Sequence, residues 1–165
     1  MSFDPRNSSD VEHRLWDEIE SRHVGMLVLP RAADLHAQPM TAFVERDTRR
    51  LWFFARTDTE LVRRIGRSER CLFLWQHGDM QASLAGDLAV LRDRARIDRF
   101  WNAVVAAWHP GGRSDPKLTL LAMDCDDAEV WVAQSGPMKA VWEIAKANAT
   151  HHEPELGARM HLTFH

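Results

Sequence analysis

A hydroxyl-rich turn directly after an aromatic strand offers the clearest chemistry in this sequence. The strand-like run at 51–56 is followed by Thr57, Asp58 and Thr59, and then by helix-forming residues at 60–65. A helix that begins at such a turn presents free backbone N–H groups, which together with the hydroxyls favour an anion such as phosphate. The aromatic neighbours offer a face for a flat ring. The pattern therefore indicates a nucleotide-like cofactor, although most turns of this kind bind no ligand.

Other sequence motifs for catalysis or metal binding are missing. The nine histidines form no H-x-x-x-H pair on a predicted helix, and the chain has no G-x-S-x-G elbow, Walker loop or G-x-G-x-x-G. The arginine-rich run at 92–96 is interleaved with Asp93, which is typical of a solvated helix start rather than a nucleic-acid site. We therefore assign no catalytic residue and expect no metal site, and an enzyme of this sequence would depend on a bound cofactor.

The composition is that of one folded domain. The chain has 165 residues, 45% of them hydrophobic, and a net charge of −3 from 21 basic and 24 acidic residues. This balance gives no general attraction to nucleic acids or acidic membranes. Cys71 and Cys125 lie in apolar segments without C-x-x-C spacing, and no signal-like or membrane-spanning run occurs. We expect free buried thiols and a cytoplasmic location.

Periodicity and turn residues predict an α+β chain without regular βαβ alternation. We expect helices at 10–22 (after a capping box that starts at Ser9), about 59–66, 92–108 and 137–149. We expect strands at 24–29, 38–45, 50–55, 71–75, 80–91 (bent at Gly86), 118–123, 128–133 and 159–164. The last hairpin would turn at the acidic residues 124–127. Short strands with few helices indicate a small barrel rather than a doubly wound sheet.

Four segments are each modest signals alone, but their occurrence together in this order is specific. They are 36–42, 51–59, 107–112 with 115–116, and 128–131. In this order they resemble the FMN-binding split-barrel superfamily of pyridoxamine 5′-phosphate oxidase, and especially its bacterial general stress proteins. The resemblance implies an α+β fold with a six-stranded antiparallel split β-barrel and flanking helices. It implies a flexible tail at 1–9, a single flavin-binding domain at 10–150 and a C-terminal extension at 151–165. It also implies a homodimer with FMN in two clefts at the interface.

The resemblance further implies a set of flavin-binding residues. They are Gln38, Pro39, Met40, Thr41, Ala42, Phe54, Ala55, Arg56, Thr59, Gln81 and Trp131. The strand at 38–42 would run beside the ring, on which Phe54 and Ala55 would pack. Thr59 would hold the phosphate, with Arg56 nearby. Gln81 would reach the flavin across the interface, and Trp131 would lie near the ring.

Two departures from the family pattern bear on function. Related oxidases place Arg-Lys after the hydroxyl turn, where this chain has Glu60 and Leu61, so Leu61→Lys is expected to tighten FMN binding. The oxidases carry an R-x-H-D-R-type substrate segment where this chain has residues 132–137, so oxidation of pyridoxamine phosphate is not expected.

Three functions stay open on this basis. The first is a flavin-dependent oxidoreductase acting on a small molecule, the second a flavin-sensing module without turnover, and the third a dimeric interaction protein without a cofactor. The flavin would be FMN, with FAD as the alternative, and neither nucleic acid nor a membrane is an expected partner.

Overall fold

The computed structural model describes residues 2–133, 137–151 and 157–165, which form five α-helices and eight strands. The helices are α1 (Ser8–Ser21), α2 (Glu60–Ile65), α3 (Arg94–Phe100), α4 (Ala103–Trp108) and α5 (Pro137–Thr150). The strands are β1 (Val24–Val28), β2 (Gln38–Thr41), β3 (Phe43–Glu45), β4 (Arg50–Arg56), β5 (Glu69–His77), β6 (Met80–Val90), β7 (Leu118–Ala133) and β8 (Gly157–Thr163). None of the described helices is long and apolar enough to cross a membrane.

The strands form one curled antiparallel sheet that closes on itself. Its order is β2-β1-β5-β6-β7-β4-β3, with β8 added beside β7. The two ends of this order, β2 and β3, are consecutive halves of a strand that bends at Ala42. Counted as one strand, they complete a ring of six, which confirms the predicted split β-barrel. The expected strand at 38–45 is thus interrupted, because its first half pairs with β1 and its second half with β4.

The barrel interior and the flank of α1 hold the main core. The apolar face of α1 is buried through Val11, Leu15, Trp16 and Ile19, as its periodicity predicts. The helix begins two residues earlier than expected, because the side chain of Asn7, not Ser9, accepts the hydrogen bond from the N–H of Asp10. The two cysteines are free and buried, as predicted. Burial raises the pKa of the Cys71 thiol to about 12.

The single helix predicted at 92–108 is wrong. The chain leaves helical geometry at Trp101, and the side chain of Asn102 accepts a hydrogen bond of 2.9 Å from the N–H of Val105, which starts α4. This cap divides the segment into α3 and α4. In one continuous helix Trp108 would share the face of the buried Ile97, three turns earlier, but after the break it is 79% exposed.

The hairpin predicted at 118–133 is also wrong, because β7 runs unbroken through the acidic residues. Asp124 and Asp126 point outward and pair with Arg50 and Arg70, while Cys125 between them is buried. The acidic cluster therefore follows strand alternation and marks no turn. The ladder shifts register at Gly86, as predicted, and a Cβ there would lie 2.2 Å from the carbonyl oxygen of Asp124.

Candidate functional site

Strand β2 and the bend after it hold five of the residues that the sequence places beside a flavin ring. Among the described strands β2 pairs with β1 alone, so its other edge keeps backbone groups free of strand pairing. At the bend, the N–H of Ala42 donates to the carbonyl oxygen of His23 at 2.8 Å. The Nδ1 atom of His23 lies 3.3 Å from the carbonyl oxygen of Ala42. The Ala42 side chain is fully buried, whereas the polar side chains of Gln38 and Thr41 in the same segment are half-buried.

The hydroxyl turn lies where the sequence places it, and the side chains of Arg56, Asp58 and Thr59 already have partners. The Oγ1 atom of Thr59 accepts from the N–H of Val62 at 3.4 Å and donates to the carbonyl oxygen of Arg56 at 2.8 Å. Arg56 pairs with Asp58 and with Asp115, each at 3.1 Å. Its hydrogen bonds to Asp58 raise the pKa of Arg56 and lower that of the carboxyl. A phosphate bound here would compete with these carboxylates for the arginine.

The residues just beyond the turn correct one expectation. Leu61 is 4% exposed and belongs to the main core, so its side chain does not face the turn. A lysine at this position would place its ammonium group in an apolar interior, and the expected gain in FMN affinity from Leu61→Lys is therefore withdrawn. Glu60 points outward and pairs with Arg64 at 2.8 Å and Arg63 at 3.6 Å.

Phe54 and Ala55 lie on opposite faces of β4. Ala55 is 8% exposed and points into the barrel core. Phe54 points outward, where its ring meets those of Phe43 at 5.6 Å and Trp101 at 5.8 Å, both edge-on. This second cluster lies beneath α3. Of the two residues, only Phe54 presents a side chain that a ring placed outside the barrel could contact.

Gln81 and Trp131 lie directly opposite each other on β6 and β7. Both side chains are exposed, and both line a groove of ≈ 520 Å³ on the outer face of the sheet. The apolar lining of the groove includes Val24, Met26 and Leu74, which are 63%, 38% and 39% exposed. We call this surface, with Gln81 and Trp131, the outer groove. Its width and apolar lining suit a flat ring or the surface of another protein.

Within one chain the eleven predicted residues form two separate groups. Residues 38–42, 54–56 and 59 lie near the bent strand and the start of α2, whereas Gln81 and Trp131 lie in the outer groove. Strand β2 is three positions from β6 in the sheet, which corresponds to roughly 14 Å. The structure thus brings together most of the first group and, separately, the two residues of the second.

His109 is a candidate site residue to which the sequence assigned no role. Its Nδ1 atom is buried and has no hydrogen-bond partner among the described residues. Its ring lies 6.0 Å from that of Phe54. Burial lowers the pKa of His109, and the nearby Arg56 lowers it further. Such an unpaired buried nitrogen is a place where a bound ligand or water would gain a hydrogen bond. The motif at 107–112 contains this residue, and only its burial distinguishes it from the other histidines.

The outer-groove residues of β1 were also missed as site residues. Val24 and Met26 alternate with the buried Leu27 and the close-packed Gly25 along a run that is apolar on both faces. A run that is apolar on both faces indicates a strand that is covered on both sides. This pattern in the sequence could have identified Val24 and Met26 as part of a covered surface. The segment 134–136, part of the region that replaces the oxidases' substrate motif, lies outside the described residues.

Comparison with known proteins agrees with this geometry. The family described as pyridoxamine 5′-phosphate oxidase like matches residues 10–155. The chain belongs to this family. The match spans the whole six-stranded ring and both groups of candidate residues. Among curated proteins, none matches the chain significantly.

Several solved structures of general stress proteins share the fold. A protein of Jannaschia sp. assigned as general stress protein 26 is 28% identical, with a TM-score of 0.75, and the match covers 94% of this chain and 99% of that one. The general stress FMN/FAD binding protein of Xanthomonas citri is 37% identical, with a TM-score of 0.72, over 78% of this chain and 92% of that one. A general stress family protein of Xanthomonas campestris pv. campestris is also 37% identical, with a TM-score of 0.72, over 79% and 92%.

Proposed function

We propose that this protein is a flavin-binding general stress protein that works as a homodimer, with FMN as its flavin and FAD as the alternative. The observation that carries the proposal is the similarity to the general stress FMN/FAD binding protein of Xanthomonas citri, at 37% identity over 78% of this chain. Membership of the pyridoxamine 5′-phosphate oxidase-like family and the two residue groups support it.

A homodimer would explain why the candidate residues fall into two groups. A two-fold interface that covers the outer groove of each chain would place Gln81 and Trp131 of one protomer beside the bent strand of its partner. The groove is apolar and exposed, which is the usual character of a surface that a partner or ligand covers. Each flavin would then contact both chains, and the dimer would contain two equivalent clefts.

The residues of this chain fit a flavin in three respects. The free edge of β2 supplies backbone donors and acceptors for the polar edge of the ring. Phe54 and Trp131 supply aromatic surface for its faces. His109 supplies an unpaired buried nitrogen next to Phe54. These groups would hold and orient the ring, and the apolar groove would exclude water from it.

When bound, the flavin would supply electron or hydride transfer to or from a small molecule. The chain's own part is positioning, since the residues that line the outer groove are mostly apolar or amide side chains. Pyridoxamine phosphate is not proposed as a substrate, because residues 132–137 differ from the substrate segment of the oxidases.

A second function, a dimeric interaction protein without a cofactor, is favoured by one observation at the turn. The Thr59 hydroxyl caps α2, Arg56 is paired with two carboxylates, and Leu61 is buried. The side chains of Thr59 and Arg56, which would bind a phosphate, are thereby engaged elsewhere. Riboflavin distinguishes a turn that binds the flavin phosphate from a turn that does not, because riboflavin carries the flavin ring without the phosphate.

The test is the visible absorption spectrum of the purified protein, followed by calorimetric titration with FMN, FAD and riboflavin. Co-purified flavin, or saturable binding in which FMN exceeds riboflavin, is the expected result. Absence of a flavin band and of saturable binding by all three would overturn the flavin proposal and favour the second function. Anaerobic mixing of the flavin-loaded protein with NADH or NADPH then tests turnover. A flavin that stays oxidised with both would count against a nicotinamide-linked reductase.

A further inference from the structure

Helix α5 exposes a large apolar surface. Val141, Trp142 and Ile144 are 68%, 65% and 46% exposed, and none of the described side chains at 141–150 is buried. With successive residues turned by about 100°, these three side chains share one side of the helix, whereas Glu143 lies on the opposite side and Lys146 lies at the border beside Trp142. The helix is therefore amphipathic, and its apolar side is uncovered in the single chain.

A helix of this kind depends on a partner surface for its stability. An isolated helix of 14 residues is marginal in water, and most helical stability in proteins comes from packing an apolar face. Its sequence carries two lysines and one glutamate, whereas helices that lie on membranes are rich in basic residues. This charge pattern favours a protein surface as the partner.

The position of α5 in the chain points to a second copy of the same protein. Strand β7 ends at Ala133, and β8 begins at Gly157, directly opposite it in the sheet. Both residues line a cavity of ≈ 270 Å³ that also contains Gln81 and Trp131 of the outer groove. The excursion that carries α5 thus leaves and rejoins the barrel at the rim of the surface that the proposed dimer covers.

The length of α5 agrees with this arrangement. Its 14 residues extend about 21 Å. A sheet of the partner subunit that packs face to face on the outer groove would lie about 10 Å from the sheet of this chain. An arm rooted at the rim is thus long enough to lie along the neighbouring subunit. In a two-fold dimer the contact would be made twice, which doubles its contribution to the free energy of dimerisation.

We propose that α5 is an exchanged arm, whose side formed by Val141, Trp142 and Ile144 packs against a second copy of this chain. The proposal rests on the homodimer of the proposed function, and it adds an arm contact outside the flavin cleft. It predicts that Trp142 is a dominant contributor to dimer affinity, as buried tryptophans commonly are at interfaces.

Photo-crosslinking tests the contact directly. Natural-abundance and heavy-isotope-labelled full-length protein, each carrying Trp142→p-benzoylphenylalanine, are mixed, diluted and reconcentrated to exchange subunits, and then irradiated. We expect covalent dimers in which light and heavy chains are joined through position 142. The matched control carries the crosslinker at Glu143, on the polar side of the helix, and should give little crosslink. Crosslinks from position 142 that join only residues of one chain would overturn the proposal.

Dimer affinity provides the second test, by analytical ultracentrifugation with flavin absorbance read in parallel. Trp142→Ser should raise the dimer dissociation constant at least about 30-fold. Trp108→Ser removes another exposed tryptophan, on α4, and should leave the constant unchanged. Equal dissociation constants for both variants and wild type would overturn the arm while leaving the flavin dimer intact.

A wild-type monomer that binds flavin would overturn both the arm and the homodimer. Binding of that monomer to lipid vesicles, lost in Trp142→Ser, would identify a membrane as the occupant instead. A dimer that depends on Trp142 but binds no flavin would keep the arm and reject the proposed cofactor.

Discussion

Gln81 and Trp131 lie directly opposite each other on β6 and β7, and both line the outer groove. Directly opposed residues in an antiparallel pair share one face of the sheet, so the amide and the indole are presented together. Residues 50 positions apart in the sequence thus form one recognition surface. Strand β6 lies three strands from the bent strand of the same chain, and we therefore propose that Gln81 and Trp131 contact a flavin bound by a second protomer.

Gln81→Ala tests that assignment. We expect this variant to bind FMN about 5–20-fold more weakly, because a buried amide that bonds the ring contributes on the order of 1–2 kcal/mol. Calorimetric titration gives the affinity, and a shift in the flavin reduction potential is a second readout. Gln76 lies directly opposite Gln81 on β5 and lines the same groove, so Gln76→Ala shows whether the effect is specific to Gln81. If the two variants match wild type in affinity and potential, Gln81 has no role in flavin binding.

Leu61→Lys should destabilise the protein and leave FMN affinity no tighter than in wild type. Leu61 is 4% exposed within the core, and burying an ammonium group there costs about 2–4 kcal/mol of unfolding free energy. Urea denaturation measures this loss. Leu61→Met, which keeps the volume and the apolar character, should lose less than about 1.5 kcal/mol. Tighter FMN binding by a fully stable Leu61→Lys protein would show that this side chain faces the phosphate after all.

Glu45→Gln should reduce stability by about 1–3 kcal/mol at neutral pH. The Glu45 carboxylate is buried, accepts from the indole N–H of Trp52 at 2.9 Å and pairs with Arg96 at 2.9 Å. Burial raises the pKa of Glu45, but these bonds outweigh it and hold the pKa below the ordinary 4.5. The unfolded chain therefore binds the proton more readily than the folded one does.

It follows that the stabilisation by Glu45 is complete above pH 4.5 and is lost as the pH falls through the folded-state pKa. Urea denaturation across this range should show a steeper acid loss for wild type than for Glu45→Gln. Glu60→Gln removes an exposed ion pair with Arg64 and should cost less than about 0.5 kcal/mol at any pH. Parallel pH profiles for wild type and Glu45→Gln would contradict the prediction.

His109→Phe should make stability less sensitive to mild acid. Burial and Arg56 lower the pKa of His109, so below the ordinary value of 6.5 the unfolded chain takes up a proton that the folded protein resists. Wild-type stability should therefore decline as the pH falls from 6.5 through the folded-state pKa, and phenylalanine should remove that part of the decline. His36→Phe, at an exposed position, is the control and should keep the wild-type slope. An unchanged slope in His109→Phe would show that this histidine is not the group responsible.

Local sequence patterns predicted the structure correctly where it depends on residues within a single helix, strand or turn. The face of α1 formed by Val11, Leu15 and Ile19 follows from helical spacing, and the turn from β4 into α2 follows from Thr59 as an N-cap. Gly86 was recognised as a bulge, because a glycine within a long apolar strand marks close backbone approach. The ordered motifs also predicted the split barrel and the family to which the chain belongs.

Local patterns gave the wrong secondary structure at 92–108 and 118–133, because contacts with residues remote in sequence determine the structure there. Asp124 and Asp126 fit a turn by composition, yet Arg50 on the adjacent β4 and Arg70 on β5, two strands away, pair with them on the outside of a continuous β7. The spacing of residues 92–108 fits one helix, but the Asn102 cap and the packing of Trp101 on Phe54 divide it.

The sequence by itself determined the family, the antiparallel barrel and the residue types available for a flavin. Tertiary structure alone decided which of those residues share a surface. It places Gln81 beside Trp131, turns Leu61 into the core, leaves the His109 Nδ1 atom without a hydrogen-bond partner among the described residues and exposes the apolar side of α5. The physical reason is that periodicity fixes which face of an element is apolar, whereas burial and pairing depend on strands and helices that are remote in sequence.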